Sequence, residues 1–151
     1  MSEHDKKLVD NVHPSDWANP EPAKKYNLVV IGGGPAGLVT AAGAAGIGAR
    51  VALVERHYMG GDCLNYGCVP SKAVIRAGRA AAGVKEAHQF GVNVPEGVHI
   101  DFAAAMERLR AARARLSAHD SPVRFQDALG LVVCLGEASF KKDGVIEAGV
   151  T

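Results

Sequence analysis

Residues 26–55 read YNLVVIGGGPAGLVTAAGAAGIGARVALVE. Tyr26 to Ile31 is a short apolar run, rich in β-branched residues, that stops at glycine, the pattern of a parallel strand buried on both faces. From Pro35 the residues are small and compatible with a helix through Gly46 or Gly48, and a second apolar run, Val51 to Val54, is closed by Glu55. Strand, helix and strand in this order predict an α/β chain with a parallel sheet. Gly32, Gly34 and Gly37 form G-x-G-x-x-G between the first strand and its helix. The first glycine permits the tight turn, the second lets backbone approach a pyrophosphate, and the third lets helix and strand pack closely. The helix N-terminus adds free N–H groups and partial positive charge. Glu55 stands where an acidic side chain accepts hydrogen bonds from a ribose. Glycines alone would fit a simple turn; within this frame they point to a bound dinucleotide.

Composition narrows the field. At 151 residues the chain is the size of one domain, and 17 Lys plus Arg against 16 Asp plus Glu give no broad field for nucleic acid or an anionic membrane. Leu28 to Ala49 carries no charge and is long enough to span a bilayer, but seven glycines and Pro35 interrupt it, so a turn is expected there and no membrane partner. Three cysteines are too few for a secreted disulfide scaffold and suit intracellular redox chemistry, so a cytoplasmic location is expected. Residues 1–25 mix charge and proline and are expected to form a flexible lead-in.

Two of the cysteines lie in GGDCLNYGCVPSK, residues 60–72. In a regular helix a five-residue separation is about 7.5 Å of rise, beyond the usual Cα spacing of a disulfide, so the segment must bend if Cys63 and Cys68 are to bridge. Gly60, Gly61 and Gly67 supply that freedom, and Pro70 suits a helix starting just beyond Cys68 and running to about His88. A helix N-terminus favours a thiolate, and Lys72 adds positive charge nearby. The alternatives are a metal site with His57, whose spacing matches no common zinc arrangement, and inert structural thiols, for which a glycine-rich loop is a poor place. No metal site is expected.

Farther on, Asp101 is expected to cap a helix with Phe102, Met106, Leu109 and Leu116 on one face. Its arginines, Arg108, Arg110, Arg113 and Arg115, read as a solvated face. Leu131 to Leu135 reads as a buried strand holding Cys134, and residues 138–148 as a hairpin around KKDG.

Together these residues resemble the pyridine nucleotide-disulfide oxidoreductases, the group of dihydrolipoamide dehydrogenase, glutathione reductase and mercuric reductase. GGDCLNYGCVPSK is similar to the family signature G-G-T-C-x-N-x-G-C-x-P-[SK]-K, and it follows G-x-G-x-x-G and an acidic residue as in the family. The resemblance implies an incomplete Rossmann-like FAD-binding domain over 26–151, a parallel sheet with helices plus a β-hairpin. It implies FAD at the first motif, with Gly32, Gly34 and Gly37 at the pyrophosphate, Glu55 at the adenosine ribose, and Gly61, Asp62 and Lys72 as further contacts. It implies a redox-active disulfide, Cys68 facing the flavin and Cys63 exchanging with substrate, with Lys72 as the third catalytic residue beside the reactive flavin nitrogen. Asp62 replaces the usual threonine and Tyr66 a usual small apolar residue, while Ser71 leans toward the lipoamide and mercuric branches. A complete enzyme of this kind would add NAD(P)H and dimerisation domains, work as a homodimer, and act on a small disulfide, dithiol or metal-ion substrate. This chain is then expected to be an N-terminal, catalytically incomplete part; the alternative is a stand-alone dinucleotide-binding or thiol redox module.

Overall fold

The computed structural model describes residues 1–149, so the last two residues of the expected 26–151 domain lie outside the described ones. Strands β1 (Leu28–Ile31), β2 (Val51–Glu55) and β3 (Val132–Leu135) form a parallel sheet in the order β1-β2-β3. Leu28 pairs with Val51 and Ala52 with Val132, so β2 is the central strand and all five of its residues are buried. Side chains alternate across it. Val51 and Leu53 face the main core with Leu38, Ala41, Met59 and Phe125, while Val29, Ala52, Val54 and Cys134 face the opposite side, beneath residues 19–26.

Helix α2 (Pro35–Gly46) begins on Pro35 and packs on β1 and β2 through Leu38 and Ala41. A short helix α3 (Gly61–Asn65) and a long helix α4 (Cys68–Glu86) follow β2. Helix α4 starts on Cys68 instead of beyond it: Gly67 takes the non-helical cap position, and Pro70 still falls in the first turn, where its missing N–H leaves no bond unmade. Asp101 caps α5 (Phe102–Ser117) by accepting the Ala104 N–H at 2.9 Å. The apolar face expected on α5 is only partly used, since Leu109 is buried but Phe102 and Leu116 are exposed. Ser121 caps α6 (Pro122–Asp127), and β4 (Ala138–Phe140) and β5 (Ile146–Ala148) form the antiparallel hairpin.

The N-terminal segment corrects the sequence expectation. Instead of a flexible lead-in, residues Glu3–Val12 form helix α1, capped by the Ser2 hydroxyl, with Leu8 and Val12 buried in the core at 3% and 0% exposure. Burying two such side chains stabilises the docked helix by roughly 1.5–3 kcal/mol each. Arg110 and Arg113, expected to be merely solvated, lie 3.8 and 3.7 Å from Asp5 of α1. Burial works to raise the Asp5 pKa, but the Ser2 side chain and backbone, with both arginines, outweigh it and lower it. Past α1, the Asn19 side chain bonds the Leu135 carbonyl and N–H at 2.8 and 2.7 Å, extending the edge of β3. Among the described residues, no helix is long and apolar enough to cross a membrane.

Candidate functional site

The three parallel strands end together at Ile31, Glu55 and Leu135, and the next residues continue the ladder: Gly32 N–H donates to the Val54 carbonyl at 2.7 Å and Gly136 N–H to that of Glu55 at 2.8 Å. Ligands of open parallel sheets bind beyond such carboxyl ends. Two clefts open there. One of about 540 Å3 is lined by Glu55, Tyr58, Gly61, Asp62, Asn65 and Tyr66 among others, and one of about 230 Å3 by Gly32, Glu55 and Gly136 among others.

The glycine loop has the form its sequence required. Gly32 adopts φ 105°, open to glycine but strained for other residues. A Cβ on Gly37 would lie 1.9 Å from the Gly32 carbonyl oxygen, so only glycine lets α2 start this close to the loop. No side chain caps α2. Its first-turn N–H groups therefore remain available to an anion.

Glu55 is buried at 8% exposure and pins two turns: Oε2 accepts the Gly33 N–H at 2.6 Å and Oε1 the His57 N–H at 2.7 Å. A carboxylate oxygen accepts more than one hydrogen bond, so Glu55 retains capacity for a hydroxyl partner.

The cysteine loop is pressed against the glycine loop. Gly60 N–H donates to the Gly33 carbonyl at 2.8 Å, and a Cβ on Gly61 would stand 2.7 Å from the Gly34 Cα. Both glycines have positive φ, 83° and 54°. Cys63 sits inside α3, and the chain then bends as a bridging pair would need: the Tyr66 and Gly67 N–H groups both donate to the Asp62 carbonyl, at 2.9 and 2.6 Å, and Cys68 opens α4.

Both cysteines are thiols in the structure, Cys63 half-buried and Cys68 exposed. The neighbouring Cys68 side chain, followed by burial, pushes the Cys63 thiol above its ordinary pKa, and the Cys68 backbone N–H works against the rise. The Lys72 ammonium, one turn into α4, opposes it as well. Cys63, Cys68 and Lys72 are thus brought together. Cys134 is apart from them in β3, where burial pushes its thiol pKa up. Among the described residues no group of three His, Cys, Asp or Glu could hold a metal ion.

One site residue escaped the sequence reading. Asn65 is 3% exposed; its Nδ2 donates to the Gly61 carbonyl at 2.8 Å and the Met59 carbonyl at 3.2 Å, while its buried Oδ1 has no partner. The signal was an asparagine between two cysteines in a glycine-rich loop, but nothing in its spacing shows that the loop folds back over it.

The sequence model for pyridine nucleotide-disulphide oxidoreductases matches residues 26–139. The chain belongs to this family. Among curated relatives, it is 36% identical over 127 residues to a dihydrolipoyl dehydrogenase of Rhizobium etli, covering 84% of this chain and 26% of that protein. It is 41% identical over 96 residues to a dihydrolipoyl dehydrogenase of Bacillus subtilis, covering 64% and 20%. A third, from Chlamydia pneumoniae, is 45% identical over 85 residues, covering 56% and 18%. The chain thus spans about a quarter or less of the length of these relatives. The α/β fold with its parallel sheet and hairpin agrees with the family expectation.

Proposed function

We propose that this chain is the N-terminal, FAD-binding part of a flavin-dependent NAD(P)H:disulfide oxidoreductase, with Cys63 and Cys68 as its redox pair. One observation carries the reading: the cysteine loop is hydrogen-bonded to the nucleotide-type glycine loop, Gly60 to Gly33, with the two backbones in contact at Gly34 and Gly61. A dinucleotide held by one loop would therefore lie next to sulfurs held by the other.

The residues present fit the cofactor. The glycine cradle would be filled by any Cβ at Gly37, the N-terminus of α2 is uncapped, and Asn65, whose Oδ1 is buried without a partner, lines the larger cleft. Gly32, Gly34 and Gly37 would hold the pyrophosphate, Glu55 the adenosine ribose, and Gly61, Asp62 and Lys72 the remainder. Bound FAD would supply a two-electron carrier between NAD(P)H and the disulfide.

The chain's own part is thiol exchange. The Cys63 thiolate would attack a substrate disulfide, releasing one substrate thiol and leaving a mixed disulfide; the Cys68 thiolate would then displace the second substrate thiol and close the Cys63–Cys68 bond, so that the substrate disulfide takes up the two electrons that the pair loses. The Cys68 side chain and burial favour the protonated Cys63, and the Cys68 backbone N–H and Lys72 oppose them only in part. Substrate would be a small disulfide, a dithiol or a metal ion; Ser71 favours the dihydrolipoyl and mercuric branches. The complete enzyme would be a cytoplasmic homodimer carrying further domains for NAD(P)H and dimerisation, and this chain alone would not turn over.

The test is to express the chain with FAD, look for retained flavin absorbance, and count reactive thiols before and after mild reduction. Weakly retained flavin and two additional thiols on reduction are expected. No bound flavin together with an unchanged thiol count would overturn the proposal. The same thiol gain without flavin would favour a stand-alone thiol module.

A further inference from the structure

Residues 1–25 precede the family match, which begins at residue 26, yet they reach the cysteine loop directly. The Met59 N–H donates to the Val12 carbonyl at 3.2 Å, and the His13 ring Nδ1 is hydrogen-bonded to the His57 carbonyl. A carbonyl only accepts, so Nδ1 carries the proton. His13 also meets Tyr58 edge-on, with ring centroids 5.8 Å apart, and Tyr58 stacks on His57 at 3.9 Å. Residues 57–59 are therefore held from the N-terminal side, while Gly60 is held from the other side by Gly33. Three residues farther on lies Cys63.

The helix that supplies these contacts is itself anchored. Leu8 and Val12 sit in the core, the Asn11 Nδ2 donates to the Ser117 hydroxyl at 2.8 Å, and Asp5 faces Arg110 and Arg113. Ser117 is fully buried at 0% exposure, and its hydroxyl donates in turn to the Ala114 carbonyl at 2.9 Å. The anchor is thus a chain of defined bonds to α5.

We infer that the N-terminal helix is a clamp that positions the redox loop, with His13 as the positioning residue that fixes the path from β2 to Cys63. The inference rests on the redox reading of Cys63 and Cys68. A clamped loop keeps the two sulfurs adjacent, which raises their effective concentration for each other and favours the disulfide over mixed species with an external thiol. Without the His13 bond, residues 57–60 sample more conformations, the sulfurs part more often, and the closed disulfide loses ground.

The test uses the 151-residue chain equilibrated in buffers of reduced and oxidised glutathione, with the oxidised fraction read by alkylation and mass. Each oxidised glutathione accepts two electrons; the Cys63–Cys68 bond forms, and two glutathione thiols leave with the two protons. His13→Ala should lower the exchange constant about five-fold, the effect of losing one hydrogen bond. His13→Asn, whose amide N–H lies the same number of bonds from Cα as Nδ1, should restore it. Asn27→Ala removes a bond to the Arg50 N–H at the opposite end of the sheet, outside the clamp, so it should lower the thermal midpoint and leave the constant unchanged. A His13→Ala constant equal to wild type, or a lowered constant that His13→Asn does not restore, would overturn the clamp while leaving the redox pair intact. A wild-type chain that forms no Cys63–Cys68 disulfide would overturn the redox reading and the clamp with it.

Discussion

Replacing Gly37 with alanine forces a Cβ to within 1.9 Å of the Gly32 carbonyl oxygen, where real Cβ atoms do not come nearer than 3.0 Å. Helix α2 and the glycine loop must then part by about 1 Å in a close-packed region. The atom in the way is backbone, so no rotamer change relieves it, and α2 is held on the sheet by Leu38 and Ala41 at 6% and 0% exposure. Overpacking of this kind costs about 1–3 kcal/mol, and the upper end applies to an unyielding backbone contact. Against it stands the helix preference of alanine over glycine, about 0.5–1 kcal/mol. The net loss should be about 2 kcal/mol, or a fall of about 4–8 °C in thermal midpoint. Gly43→Ala is the internal control: it lies in the same helix, nothing is within 4 Å of its Cβ position, and it should be neutral or stabilising by up to about 1 kcal/mol. Urea unfolding followed by circular dichroism measures both, with unchanged slopes expected. A Gly37→Ala chain as stable as wild type, or a Gly43→Ala chain equally damaged, would refute the close-approach account of the third glycine.

Asp120, half-buried beside Gly60, has its carboxyl pKa raised by burial, against the smaller opposing effects of His119 and Arg124. A folded-state pKa above the ordinary 3.8 means that folding favours the protonated form, so its stabilisation is present below 3.8 and is lost as pH rises through the folded value. Asp120→Asn should therefore stabilise the chain at pH 7 and give no gain near pH 3; equal gains at both pH values in thermal melts would sink this. Asn65→Ala removes two bonds to loop carbonyls and should cost about 1–3 kcal/mol, read by urea unfolding; a change below about 0.5 kcal/mol would show that water replaces them. Cys68→Ala removes the largest cause of the raised Cys63 pKa, so the midpoint of the Cys63 alkylation rate against pH should move down; an upward move would contradict the influence of the Cys68 side chain on Cys63.

The parallel strands were legible because Leu28–Ile31 and Val51–Glu55 are apolar in runs, and such runs suit a sheet buried on both faces wherever they fall. The same holds for the Asp101 cap and for the hairpin, whose signals are local. Helix α1 was not legible. Its charges outnumber its apolar residues, and Leu8 and Val12 count as core only because α5, about a hundred residues away, offers Ser117 and two arginines to receive the helix. Phe102 and Leu116 failed in the opposite sense: their spacing implied burial, but no neighbouring element covers them among the described residues.

By itself the sequence determined the nucleotide-type turn, since G-x-G-x-x-G after a buried strand leaves the backbone few other paths, and it determined that a cysteine pair lies in a loop made to bend by glycine. It also carried the family, through motifs whose spacing is local. Only the tertiary structure decided that the two loops touch, that Glu55 spends its carboxylate on the Gly33 and His57 N–H groups, that Asn65 is buried beneath them, and that the N-terminal helix grips the loop from behind. Local patterns fix which torsions a segment adopts. Contacts between segments depend on which surfaces the packed sheet brings within reach, and no spacing along the chain encodes that distance.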